Sequence, residues 1–122
     1  MKIPEGIDVH EYLRSYILSH GLKGGFIIGI GGFKRAIIGY LDPATRTYVT
    51  QELEARNIIL EVASLMGNYV VKNNEVSIHI HVTLSTPEGA RGGHLLKSTV
   101  YPFIEALLVE VGSSIKEVFT HR

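Results

Sequence analysis

From Val76 to Leu84 the sequence alternates without a break: Val76, Ile78, Ile80, Val82 and Leu84 fall on one side of an extended backbone, and Ser77, His79, His81 and Thr83 on the other. Residues two apart share a face in a strand, so this segment reads as a half-buried β-strand with an apolar side on a core and a polar side facing out. Such a strand needs backbone partners and cover for its apolar face, and the rest of the chain is read for both.

The cover is found near the start. Val9, Tyr12, Leu13, Tyr16 and Ile17 have the spacing of one helical face, so Asp8 to His20 is expected to be a helix. Asp8 is a good N-cap with Glu11 three residues on, Ile7 and Tyr12 are placed as a hydrophobic staple, and Gly21 is a natural stop. Partners follow. Gly25 to Gly31 and Ala36 to Leu41 read as short buried strands with a turn at Gly32 to Arg35, and Arg46 to Thr50 as a third strand after the turn residues Asp42 to Thr45. Glu52 to Met66 is ambiguous: Ala55, Ile58, Ile59, Val62, Ala63 and Met66 fit a helical face, while Ile58 to Leu60 and Val62 suit a buried strand before the turn signal Gly67-Asn68. Ser85 to Gly93 reads as a loop and Ile104 to Val111 as the last strand. One helix and many strands imply an α+β fold, a single domain over residues 1–122 in which a largely antiparallel sheet packs with the N-terminal helix.

Charge narrows the partners. Lys plus Arg number 12 and Asp plus Glu 12, for a net charge of zero, and the longest basic feature is Lys34-Arg35. Binding nucleic acid mainly through phosphates calls for a basic excess or stripe. Neutrality also leaves little repulsion between copies, which suits self-association. The chain has no cysteine, so disulfides and thiolate ligands are excluded. No apolar run reaches the ~20 residues of a membrane helix, and Met1 to Gly6 lacks the apolar core of a signal peptide, so the expected setting is the cytoplasm with no membrane contact.

The chemistry is concentrated in histidine. His79 and His81 project from one face with Cα atoms roughly 6.5 Å apart, close enough for both rings to hold one ion, and His94 beside Gly92-Gly93 supplies a third nitrogen if the chain brings it back. Three nitrogen ligands with one open position is the arrangement of a catalytic zinc site. The plain alternative is a set of solvated side chains on the polar face of a strand. Geometry poses a question as well: if Leu84 and His94 flank a symmetric loop, His81 lies roughly 10 Å from His94, so either the loop folds back asymmetrically or the ligands come from two subunits. His10, His20 and His121 read as helix-surface or terminal residues without a role.

Other motifs are weaker. In Gly29-Ile30-Gly31-Gly32-Phe33-Lys34 a lysine stands where a dinucleotide fingerprint has its third glycine, no helix follows, and the P-loop pattern is not met. Arg91-Gly92-Gly93 is a single RGG, and no Gly-x-Ser-x-Gly elbow occurs. Glu61 and Glu105 interrupt apolar runs, either as acids serving a metal site or in structural ion pairs with Arg91 or Arg56.

Taken in order, Gly6-x-Asp8, the Gly-x-Gly-Gly stretch, Gly39 to Asp42, Glu61 to Asn68, the His79-x-His81 strand and Gly92-Gly93-His94-Leu95 give a chain that resembles the plant-and-prokaryote-conserved (PPC) domain from about Pro4 to Val111. The resemblance implies a mostly antiparallel α/β domain that assembles as a trimer, a strand and turn at Glu61 to Asn68, and zinc on the histidines. Plant members join this domain to AT-hooks and bind DNA in the nucleus, and free-standing prokaryotic members carry a DNA-binding label. The Arg-Gly-Arg-Pro core of an AT-hook is absent here, and Ser98 stands where the family often has glycine. The expected function is a homotrimer with a three-histidine zinc site at His79, His81 and His94 that acts on or senses a small ligand. The alternatives are a DNA-associated protein and a structural or regulatory trimer without catalysis.

Overall fold

The computed structural model describes residues 1–119; His121 lies outside the described residues. Along the chain come β1 (Lys2–Pro4), α1 (Val9–Ser19), β2 (Gly24–Asp42), β3 (Thr47–Glu54), β4 (Leu60–Lys72), β5 (Glu75–Thr86), β6 (Gly89–Glu110) and a single 3-10 turn, Ser113–Glu117. All strand pairs are antiparallel, in the order β1-β6-β5-β4-β2-β3. β6 also pairs with β2, so β2, β4, β5 and β6 close on themselves, with β1 and β3 added on the outside. Where the ring of strands is continuous it leaves no edge open to pairing with other chains. β5 pairs with β6 only as far as His81 and His94; beyond that point β5 keeps β4 alone, β6 runs on beside β2, and α1 packs against both strands where they part.

The helix forms as its sequence dictates. Asp8 caps it, accepting a hydrogen bond from the Glu11 N–H at 3.1 Å. Its far end is closed at Gly21, φ +63°, by Leu22 N–H to Ile17 O and Gly21 N–H to Leu18 O, a paired arrangement that a left-handed glycine makes possible. Val9, Leu13 and Ile17 are fully buried on Ile27, Phe33 and Ile38 of β2, Leu65 and Tyr69 of β4, Ile80 and Leu84 of β5, and Leu95 and Ile104 of β6. Ser98 pins the helix to β6: its hydroxyl accepts the Val9 N–H at 3.1 Å and its own N–H bonds Asp8 Oδ1 at 2.8 Å. Ser98 thus doubles the helix cap.

Four readings of the chain are corrected. Gly32 to Arg35 is not a turn; β2 continues through it for 19 residues with irregular register on β6 between Gly31 and Arg35. A Cβ on Gly31 or Gly32 would strike the Phe103 or Tyr101 carbonyl oxygen, so these glycines allow close approach of β6. The run Gly25 to Gly31 is buried on one side only, since Phe26, Ile28 and Ile30 point outward. Glu52 to Met66, open between helix and strand in the sequence, holds the end of β3 and the start of β4, as the resemblance implies, but Gly67-Asn68 lies mid-strand and is not a turn. The turn falls instead at Asn73-Asn74, with φ +52° and +63°, residues that tolerate the left-handed conformation a two-residue hairpin requires. Last, Ser85 to Gly93 is not a loop. β5 and β6 run up to a two-residue turn at Pro87-Glu88, and β6 extends over 22 residues.

Candidate metal centre

The short turn decides the geometry of the histidines. With Thr86 opposite Gly89, the ladder places Leu84 opposite Arg91 and His81 opposite His94. His94 therefore returns directly beside His81 within one chain, which answers the question of a second subunit. Directly opposed residues in an antiparallel pair point to the same face, and His79 shares it two residues along. The ring centroids are 5.0 Å apart for His79–His81, 5.0 Å for His79–His94 and 5.6 Å for His81–His94. His79 Nε2 and His81 Nε2 are 3.2 Å apart, and one ring nitrogen from each histidine falls within 4.8 Å of the others. An ion with bonds of about 2.0–2.1 Å holds tetrahedral nitrogens roughly 3.3 Å apart. One pair, His79 and His81, already has that spacing.

The surroundings favour the metal-binding form. Burial holds His94 below the usual imidazole range, and the neighbouring charge of His81 lowers it further. It is therefore neutral at pH 7, the state in which imidazole binds a metal. Tyr48 of β3 stacks on His94 at 4.8 Å with 16° between the ring planes. Gly39 permits this: it pairs with His94 from the β2 side, and a Cβ there would lie 2.9 Å from Tyr48 Cδ1. Sequence reasoning did not find Tyr48; the side-chain-free position at Gly39 was the available signal.

Among the described residues, the buried side-chain nitrogen and oxygen atoms without a hydrogen-bond partner are His10 Nδ1, Asn68 Oδ1 and His94 Nδ1. Native proteins leave few such atoms, and each asks for an unseen water or ion. Here they gather at one place. His94 is in the cluster, Asn68 is the cross-strand partner of His79, and His10 on α1 feels the field of His94. The donor set and its orphaned atoms fit a bound metal. His10, expected to have no role, borders the cluster. His20 is as expected, an exposed C-cap stacked on Tyr16.

Glu61 and Glu105 are not part of it. Both are exposed, near Ile59, Pro102 and Phe103 at the Gly31 end of the sheet, and Glu61 lies five residues along β4 from Met66, the partner of His81. Among the described residues neither forms an ion pair, with Arg91, Arg56 or any other group. The isolated acids of the two runs point outward, so they need no partner.

Next to the histidines lies an exposed apolar surface. From His81 one row of the ladder runs through Met66, Ile28 and Leu107; from His79 the next runs through Asn68, Phe26 and Val109. Large apolar side chains standing together in the open mark an interaction surface. No helix among the described residues is long and apolar enough to cross a membrane.

The profile of the Plants and Prokaryotes Conserved (PCC) domain matches residues 1–112. Among solved structures, a PPC protein from Pyrococcus horikoshii is 32% identical, with a TM-score of 0.82 over 90% of this chain and 75% of its own. A metal-containing protein from Archaeoglobus fulgidus is 30% identical, with a TM-score of 0.81 over 92% of this chain and 78% of its own. A protein from Bacteroides thetaiotaomicron, provisionally named DNA-binding, shares the fold at 23% identity, with a TM-score of 0.82 over 90% of this chain and 76% of its own. No curated protein matches the sequence.

Proposed function

The chain belongs to the Plants and Prokaryotes Conserved domain family, and from that premise we propose that it is a zinc protein whose ligands His79, His81 and His94 leave the fourth position of the ion open to a small ligand. The observation that carries this reading is the convergence of three ring nitrogens within 4.8 Å on one exposed face. The metal-containing relative at 30% identity supports it. Imidazole nitrogens without thiolate suit zinc, and three protein ligands are the number that leaves a coordination position for chemistry or sensing. The outer apolar rows support assembly as a homotrimer, and the absence of cysteine from the sequence is in keeping with a cytoplasmic setting.

The test is metal analysis of protein purified without a histidine tag. About one equivalent of zinc per chain is expected, and none after His79→Ala with His81→Ala. Metal-free protein that takes up no zinc on titration overturns the reading. A DNA-binding function gains less support. Its basis is the naming of relatives at 23% and 24% identity, a level that speaks to fold, and the net charge here is zero.

A further inference from the structure

We infer that Asn68 is the residue that aims His79 at the metal, its side-chain oxygen accepting the Nδ1–H of His79 when Nε2 is bound. The inference deepens the zinc reading and rests on it. Asn68 stands directly opposite His79 in the β4–β5 ladder, on the same face and with Cβ atoms about 4.5–5.5 Å apart by the geometry of such pairs. Its Oδ1 is buried and without a partner. The Nε2 of His79 is the nitrogen turned toward His81, at 3.2 Å. An imidazole that gives Nε2 to a metal carries its proton on Nδ1, and that N–H is characteristically held by a carboxylate or carbonyl oxygen that fixes the ring. An amide oxygen is such an acceptor.

Of the residues directly beside Asn68 in the sheet, His79 is the one whose side chain carries a donor. Across β2 it faces Phe26, and Met66 precedes it on the same face of β4; neither side chain has a donor. Gly67 and Tyr69, adjacent in sequence, belong to the opposite, inward side of the strand. A metal on His79 thus fixes the donor that the orphaned oxygen lacks.

The experiment uses the full chain and cobalt(II), whose visible absorption reports both binding and coordination geometry, with zinc competition for affinity. Asn68→Leu, close in size but without an acceptor, is expected to weaken binding by roughly 10–100-fold, and Asn68→Asp to restore it to at least the parent level. In the zinc-loaded parent, nitrogen NMR should show the His79 Nδ1 proton in slow exchange; this readout needs no variant. Equal affinity in the parent and a folded Asn68→Leu protein, or a rapidly exchanging Nδ1 proton in the parent, overturns the role of Asn68 and leaves the zinc reading standing. A parent protein that takes up neither cobalt nor zinc overturns the zinc reading, and this one with it.

Discussion

His81 and His94 face each other across the β5–β6 ladder at the last pair before the two strands separate. A metal held by these rings would join the two strands at the point where backbone hydrogen bonds cease to join them. A ligand that binds only the folded chain adds RT ln(1 + [L]/Kd) to stability, about 2.7 kcal/mol at a hundredfold excess over Kd. Thermal melts of metal-free protein should rise on adding zinc and fall back with chelator. His94→Ala should abolish the rise while costing the metal-free protein no more than about 1 kcal/mol, since the ring is only half-buried. A zinc-dependent rise that survives in His94→Ala would remove His94 from the ligand set.

Gly39 acts at a distance through Tyr48. Alanine there would bring a Cβ to 2.9 Å from Tyr48 Cδ1 and 3.2 Å from Leu96 Cδ1, and the stacked tyrosine is the part free to move. We expect Gly39→Ala to fold, to lose about 1 kcal/mol, and to bind zinc several-fold more weakly because His94 loses the ring that steadies it. Tyr48→Phe should bind as the parent does, because the stack needs the ring and not the hydroxyl. Zinc competition titrations separate the two; an unchanged affinity in Gly39→Ala would show that the stack plays no part in holding His94.

The parts of this fold that were legible in the sequence are those determined within a few consecutive residues. The two faces of Val76 to Leu84 and the cap at Asp8 are local chemistry, and both are found where expected. What was misread depends on distant partners. Gly92-Gly93 resembled a loop because glycine serves turns and close approach alike. In the fold a Cβ on Gly93 would lie 2.8 Å from the Gly39 carbonyl oxygen, so the residue marks tight packing of β6 on β2. That misreading also displaced the register by three residues, from Leu84 opposite His94 to Leu84 opposite Arg91, and so created the apparent gap between His81 and His94. The histidines were identifiable by type and spacing. Asn68, Tyr48 and His10 were not, because each reaches the site from another element.

The histidines around the centre also make the metal-free protein sensitive to acid. Burial lowers the pKa of His10; Asp8 opposes this, while Arg14 and His94 add to it. His94 is lowered as well. In the unfolded chain both return to the ordinary value of 6.5. Below that value the unfolded state binds more protons than the folded one, so stability is full above it and is lost as pH falls through the lowered folded values. Urea midpoints of metal-free protein should drop between pH 7.5 and 5.5. His10→Gln, which retains polarity without titrating, should show a smaller drop, the remainder belonging to His94. Equal drops in both proteins would mean that His10 is protonated as easily folded as unfolded.

The row that begins at His81 continues through Met66, Ile28 and Leu107, which are 59%, 47% and 59% exposed, with Phe26 and Val109 beside it at 41% each. Full burial of one such side chain is worth about 1.5–3 kcal/mol, so covering five that are already half-covered offers several kcal/mol to a partner, and zero net charge puts little repulsion in the way of a second copy. If the homotrimer forms through this face, Ile28→Asp combined with Leu107→Asp places two carboxylates in each contact and should yield monomers in sedimentation velocity. Those monomers should still bind one zinc each, because His79, His81 and His94 come from a single chain. A parent protein that sediments as a monomer rules out the trimer, and a double variant that remains trimeric moves the contact to another face. Monomers that lose zinc entirely would mean that a neighbouring copy completes the centre.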